Sequence, residues 1–226
     1  MTTVLIVVAH PDDAEIAMGM RMRWYAQNGA RVRVHCLTTG TPDPNGNEVR
    51  RRECLAAAAL LGVEDYTFSA IPDSRFTDHR GDINGELFRV FRQDRPDTVY
   101  THYPSDQHLD HIATAQEVTA VALREAANLT YFRSPYSTGF DPNEIFMGSQ
   151  ELLRAKQAAL QCFASQQQLD MTTFTQLAGV AHRQHVHHRV VERFPLHATA
   201  TELFTIARRV EIATDSTRAA RTASYA

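Results

Sequence analysis

The sequence is poor in cysteine, in long apolar runs and in net charge. Its 226 residues include only three cysteines, Cys36, Cys54 and Cys162. An odd, widely spaced set does not build the disulfide framework of a small secreted domain. All three read as reduced thiols filling apolar interior, and the expected compartment is the cytoplasm. No run approaches the ~18 apolar residues of a membrane span. The opening "TTVLIVVAH" has no positive leader and runs into a proline and two acids, so it does not read as a signal peptide. Net charge is -3, and no basic stripe interleaved with aromatics is present. Nucleic acid and anionic membrane are therefore not expected partners. Repeats, low-complexity tracts and linkers are also lacking. The expectation is one domain over residues 1–212, followed by a tail, 213–226, with almost no large aliphatic side chain.

What is present is an alternation of strand and helix patterns. Residues 3–9, "TVLIVVA", form the continuous β-branched run of a strand buried on both faces. Residues 14–28 follow with a helical face of Ile16, Met20 and Trp24, closed by Asn28-Gly29. Further strands are expected at "RVRVHCL", "DYTFSAI" and "PDTVYTHY". Helices are expected at "EVRRRECLAAAALLG", "ELFRVFRQD" and "HIATAQEVTAVALREAA". This rhythm predicts an α/β protein with an open, mostly parallel sheet and helices on both faces. Beyond residue 128, "LTYFRS" and "EIFMGS" read as short strands, "SQELLRAKQAALQCF" and residues 172–190 as helices. "ELFTIARRV" fits either state.

In such sheets ligands sit beyond the carboxyl ends of the strands. The first strand ends in His10, Pro11, Asp12 and Asp13, and the fourth runs into "SDQHLDH". Two adjacent carboxylates at a buried strand end call for a positive charge, and a divalent metal supplies one. Catalytic zinc takes three protein ligands and keeps a position for water. His10 and Asp13 offer two, and His111, at the start of a helix, is the natural third. Zinc suits this His–Asp–His set, and ferrous iron is chemically reasonable. Asp12 is then free as general base, and His108 is placed to stabilise an oxyanion and protonate a leaving amine. Asp110 is expected to orient an imidazole, that of His108 first. The bland alternative is that Asp12 and Asp13 merely favour a helix N-terminus, worth about 0.3–1 kcal/mol. Glu15 reads as a first-turn residue, and His35, His79 and His102 as structural or exposed. No G-x-G-x-x-G follows the first strand, which argues against a dinucleotide.

"AHPDDAE" together with "SDQHLDH" resembles the LmbE-like, or PIG-L, family of metal-dependent N-deacetylases. The resemblance implies metal ligands His10, Asp13 and His111, Asp12 as base and His108 as its assistant. It extends over roughly residues 3–194. Through it Arg50, in register with Glu53, becomes a candidate clamp for a substrate hydroxyl, with an ion pair to Glu53 or a neighbour as the alternative. Asp73 of "IPDS" becomes a candidate near a sugar, "ASQ" supplies Ser165 and Gln166, and "VVERF" resembles the family's terminal A-E-x-F at Glu192 and Phe194. Glu15 follows the aspartates one residue later than in some members. Where the family has glycines, this chain has His182, His185, His187 and His188. Those four read as a solvated or oligomer-interface face, with a second metal site as the lesser alternative. The connection "RSPYSTGFDPNE", with Arg133 and Tyr136, reads as a specificity loop.

The implied reaction is hydrolysis of an N-acetyl or other N-acyl group on an amino sugar or similar small polyol. Alternatives are a metallohydrolase of another amide or ester, and a metal-dependent sugar or nucleotide binding protein without turnover. Exposed apolar residues in the late segments are compatible with a homo-oligomer.

Overall fold

Residues Thr3–Val8 form β1, and every side chain from Val4 to Ala9 is fully buried. The strand is central because both of its faces are apolar. Val4, Ile6 and Val8 enter one core cluster, and Leu5, Val7 and Ala9 enter the other. This is the two-sided burial that a continuous aliphatic run requires. The structure, a computed structural model, describes residues 1–40, 44–63, 65–166, 169–193 and 198–211. The expected tail and Phe194 lie outside the described residues.

The elements follow in the order α1 (Asp13–Gln27), β2 (Arg31–Cys36), α2 (Pro44–Leu61), β3 (Asp65–Phe68), α3 (Arg80–Asp94), β4 (Thr98–His102) and α4 (Leu109–Glu125). Then come β5 (Asn128–Phe132), β6 (Glu144–Ser149), α5 (Gln150–Leu160), α6 (Met171–His185), α7 (His188–Val191) and β7 (Ala198–Arg208). The strands form one seven-stranded sheet in the order β3-β2-β1-β4-β5-β7-β6. The first five are parallel, while β7 runs antiparallel to both β5 and β6. Helices α1, α2 and α5 cover one face, and α3 and α4 the other.

The sheet therefore reverses its winding between β1 and β4, which are neighbours in space and far apart in sequence. The crevice at such a switch point opens beyond the carboxyl ends of the strands. The β1–α1 and β4–α4 loops both empty into it.

Several elements differ from expectation. Helix α2 starts at Pro44, where a missing N–H costs a first helical turn nothing. Helix α3 starts at Arg80 despite Gly81 and Gly85, because Arg80 pairs with buried Glu117 and Ile83 is fully buried. Tertiary contacts here override weak local propensity. The segment expected over 172–190 splits at Val186 into α6 and α7. The ambiguous "ELFTIARRV" is strand β7, and Cys162 is half-buried while Cys36 and Cys54 are buried. No described helix is long and apolar enough to cross a membrane.

Candidate metal centre

The β1–α1 turn is tight and strained. Asp12 has φ 101°, a left-handed backbone rare for a residue with a Cβ and worth about 1–3 kcal/mol of strain. The conformation points the two adjacent carboxylates in different directions. Asp13 turns back, accepting the His10 backbone N–H on Oδ2 at 2.7 Å. Asp12 is left buried, with an Oδ2 that has no hydrogen-bond partner. Arg50 braces the turn: it donates to the carbonyls of Pro11 (3.1 Å) and Gly40 (2.8 Å) and stands 3.7 Å from Asp12 Oδ2. Gly40 has φ 84°, and a Cβ there would fall 2.2 Å from the Arg50 guanidinium. Glu53 takes no part, because it accepts from Ser165 N and Oγ instead.

The β4–α4 loop delivers the imidazoles. His108 caps α4, its Nδ1 accepting the Asp110 backbone N–H at 3.3 Å. That bond assigns the neutral tautomer with the proton on Nε2. One turn on, His111 brings Nε2 within 3.4 Å of Asp13 Oδ1. Its other nitrogen, Nδ1, faces Asp106 Oδ1 at 3.3 Å. The rings of His10 and His108 are 4.7 Å apart, and those of His108 and His111 are stacked at 4.5 Å. The two loops thus bring His10, Asp12, Asp13, His108 and His111 together at one sheet edge.

Two residues do not stand where sequence reasoning expected them. The Asp110 carboxylate does not hold His108. It faces His10 Nε2 at 3.3 Å and accepts the backbone N–H groups of Ser74 (2.7 Å) and Phe76 (3.3 Å). Being the second residue of α4, its side chain turns toward the β3–α3 connection, where those amides are free. Asp73 also reaches His10 Nε2, at 3.2 Å, and is half-buried. Arg50, expected to clamp substrate, spends its terminal nitrogens on the backbone of the turn.

One residue was missed, and one expected to be structural or exposed proves to be structural, packed against the site. Asp106 is buried and binds Ser134, Ser137 (3.0 Å) and the His108 N–H (2.9 Å), tying the 133–138 loop to His111. Its signal in the sequence was only its place two residues before His108. His102 is fully buried and stacks on His111 at 4.0 Å. Its Nε2 accepts the Ala9 backbone N–H at 3.1 Å.

The electrostatics follow from burial. Burial opposes charge on His10 and His111, but the carboxylates around them prevail. Asp110, Asp13 and Asp73 hold His10 well above the usual imidazole range, and Asp13 with Asp106 lifts His111 to about 9. His102 is pushed down to about 4 by burial and by His111 beside it. Burial also raises Asp13, yet His111, His102 and His10 pull it well below the carboxylate range. Asp12 is pushed up to about 7 by burial and by Asp13, with Arg50 opposing. Glu15, fully buried with neither carboxylate oxygen hydrogen-bonded, is driven to about 8 and is a neutral core residue at pH 7.

Among the described residues three groups of side chains have converging donor atoms: His10/His108/His111, Asp13/His102/His111 and His10/Asp73/Asp110. All three belong to this one centre, and none includes the histidines at 182–188. Two imidazole nitrogens and a carboxylate oxygen are a donor set that suits zinc or ferrous iron. The lone pair of His102 Nε2 is already given to Ala9, so His10 is the better partner for Asp13 and His111. His182 instead bonds Thr201 Oγ1 at 2.9 Å, and His187 caps α7. Glu192 is exposed, whereas a second E-x-F, Glu202 to Phe204 on β7, is buried at both ends.

An open α/β sheet wound about β1 and β4, with a buried imidazole–carboxylate centre at its carboxyl edge, defines the class of protein. The chain belongs to the PIG-L family, described as GlcNAc-PI de-N-acetylase, which matches residues 5–122. It is similar to an uncharacterized deacetylase, YaiS, of Escherichia coli (strain K12), 28% identical over 70% of this chain and 88% of that one. A 1D-myo-inositol 2-acetamido-2-deoxy-alpha-D-glucopyranoside deacetylase of Streptomyces avermitilis is 30% identical over 63% of this chain; the match spans 60% of that relative's length. The fold matches that of GalB, the 4-carboxy-2-hydroxymuconate hydratase of Pseudomonas putida KT2440, with TM-score 0.78 over 96% of this chain and 100% of that one, at 20% identity.

Proposed function

We propose that the protein is a zinc-dependent hydrolase that removes an N-acetyl or other small N-acyl group from an amino sugar or similar polyol conjugate. His10, Asp13 and His111 would hold the ion, with ferrous iron as the alternative. What supports the reading is Asp13 standing 3.5 Å from His10 Nδ1 and 3.4 Å from His111 Nε2, beside the buried, unbonded Asp12 Oδ2; the convergent donor groups divide these residues, pairing His111 with His10 and His108 in one and with Asp13 and His102 in another. Family membership supports the amide chemistry.

A divalent ion held by these residues would supply Lewis acidity toward an amide carbonyl and would bring the pKa of water to about 7. Asp12 Oδ2 takes the proton from the attacking water. Burial and the neighbouring Asp13 favour its protonated form, so it can hold that proton and return it to the departing nitrogen. The new C–O bond and the broken C–N bond leave a carboxylic acid and an amine. His108 is lowered by burial, and its Nδ1 accepts the Asp110 N–H, which leaves the proton on Nε2. Its Nε2–H would thus be the donor to the oxyanion. Asp110 and Asp106 hold His10 and His111 from behind. Asp73, on the half-buried side of His10, is the side chain through which substrate hydroxyls would be read.

A pure binding site needs no free carboxylate beside its ligands, so Asp12 favours turnover. The test is primary-amine release by the purified protein over a panel of N-acetylated sugars, with and without a chelator. Release that stops on chelation and returns with zinc supports the reading. Release that survives chelation contradicts it, as does bound zinc with no release from any amide. Water addition, the reaction named for the structural neighbour, frees no amine and is separated by the same assay.

A further inference from the structure

Helix α1 is broken one turn after the aspartates. Met18 has φ -142° and ψ 27°, so the segments on either side are two helical pieces. A break leaves carbonyls of the first piece and amides of the second without partners. Two charged side chains from distant elements take them up. Glu202 of β7 accepts the N–H groups of Met20 and Arg21, each at 2.9 Å. Lys156 of α5 donates to the Ile16 carbonyl at 2.7 Å and to Glu202 Oε1 at 2.7 Å. Both side chains are almost wholly buried, Lys156 at 2% and Glu202 at 3% exposure. The Lys156 stem lies against Gly19, where a Cβ would come within 3.0 Å of it.

This apparatus reaches the centre in two bonds. The Ile16 N–H donates to the Asp12 carbonyl at 2.9 Å, closing the first turn on the left-handed residue. The Ile16 carbonyl is the group that Lys156 grips. In an unbroken helix the packing of the whole of α1 would dictate the direction of its first turn. Here the first piece is tied to α5 through Lys156, and Lys156 is in turn bonded to Glu202 of β7.

We propose that Lys156 and Glu202 are positioning residues for the metal centre. They set the angle of the Asp12–Ala17 turn, so that Asp13 faces His111 while Asp12 stays apart from it. A buried pair that served stability alone could be replaced by apolar side chains at little loss. Here each charge answers specific backbone groups at the break.

The inference rests on the metal-centre reading, and the experiment separates the two. Zinc affinity is measured by competition with a chromophoric chelator, well below every melting temperature, for the wild type, Lys156→Met, Glu202→Gln and Leu87→Ala. Leu87 is a fully buried residue of the cluster on the opposite face of the sheet, and serves as a control for general destabilisation. The melting temperature of each metal-free protein is measured alongside. Lys156→Met and Glu202→Gln are expected to weaken zinc binding by about 10–100-fold, and Leu87→Ala by less than about twofold despite its own fall in melting temperature. Should Lys156→Met fail to fold, Glu202→Gln, which keeps size and one acceptor oxygen, carries the test. Zinc affinity in the folded variants no weaker than in Leu87→Ala overturns the positioning role and leaves the centre standing. A wild-type chain that binds no zinc overturns both.

Discussion

His102 and His111 stack face to face, 4.0 Å apart and 18° from parallel, yet their proton affinities are driven in opposite directions. Both are buried and both have Nε2 within 3.4 Å of Asp13. Burial and the neighbouring His111 push His102 down, whereas Asp13 and Asp106 lift His111; the Ala9 amide in addition occupies the His102 lone pair. On the proposed reading one imidazole is a packing neighbour, and the other is the ligand. His102→Gln is therefore expected to keep zinc affinity within about tenfold of wild type, whereas His111→Ala abolishes it. Equilibrium zinc titration of the two variants checks the distinction.

Asp12 should be separable from the metal. Asp12→Asn keeps the shape of the turn and removes the proton acceptor. Amine release is expected to fall by about 10²–10⁴-fold, the usual contribution of a general base, with zinc content unchanged. Turnover near wild type in this variant would reassign the base.

For His108 the expectation is a kcat effect. If the neutral imidazole donates to charge that develops only in the transition state, as proposed, His108→Ala should lower kcat by about 10²–10³-fold and change KM little. Steady-state kinetics on one N-acetylated substrate decide it. A loss confined to KM would make His108 a substrate-binding residue instead.

Away from the site, His35 gives the fold a pH dependence of its own. It is buried on β2, with Nδ1 2.9 Å from Thr67 Oγ1 and Nε2 3.1 Å from Ser69 Oγ. Burial lowers its pKa to about 4; Arg33 and Arg89 add to the shift, and Glu86, 3.7 Å away, opposes it. The unfolded chain takes up this proton first as pH falls. The contribution of neutral His35 is therefore complete above about pH 6.5 and is lost progressively down to about pH 4, some 3 kcal/mol in all. In urea unfolding, the stability of the wild type relative to His35→Gln should fall through that window. A difference that stays constant with pH would contradict the assignment.

Much of this was legible in the sequence, for identifiable reasons. A strand buried on both faces must be aliphatic throughout, so "TVLIVV" declared β1 and with it the parallel sheet. The two loops were legible because acids and imidazoles have no cheap place at buried strand ends. Partnerships set by tertiary structure were not. Asp110 reaches His10 only because the β3–α3 connection brings the Ser74 and Phe76 amides to it. Asp106 and His102 looked like ordinary polar residues, since what they touch lies on other elements. Glu202 obscured β7, because a buried acid breaks the alternation by which a strand is recognised; its partners are the amides of a helix break 182 and 181 residues earlier in the chain.

The central claim is that one divalent ion is held by His10, Asp13 and His111, with Asp12 left free. Anomalous diffraction at the zinc edge, from crystals grown with zinc, tests it most directly. One peak is predicted, within about 2.0–2.2 Å of a nitrogen of His10, an oxygen of Asp13 and a nitrogen of His111. A peak ligated by His102 in place of His10, or no peak between the two loops, would contradict it.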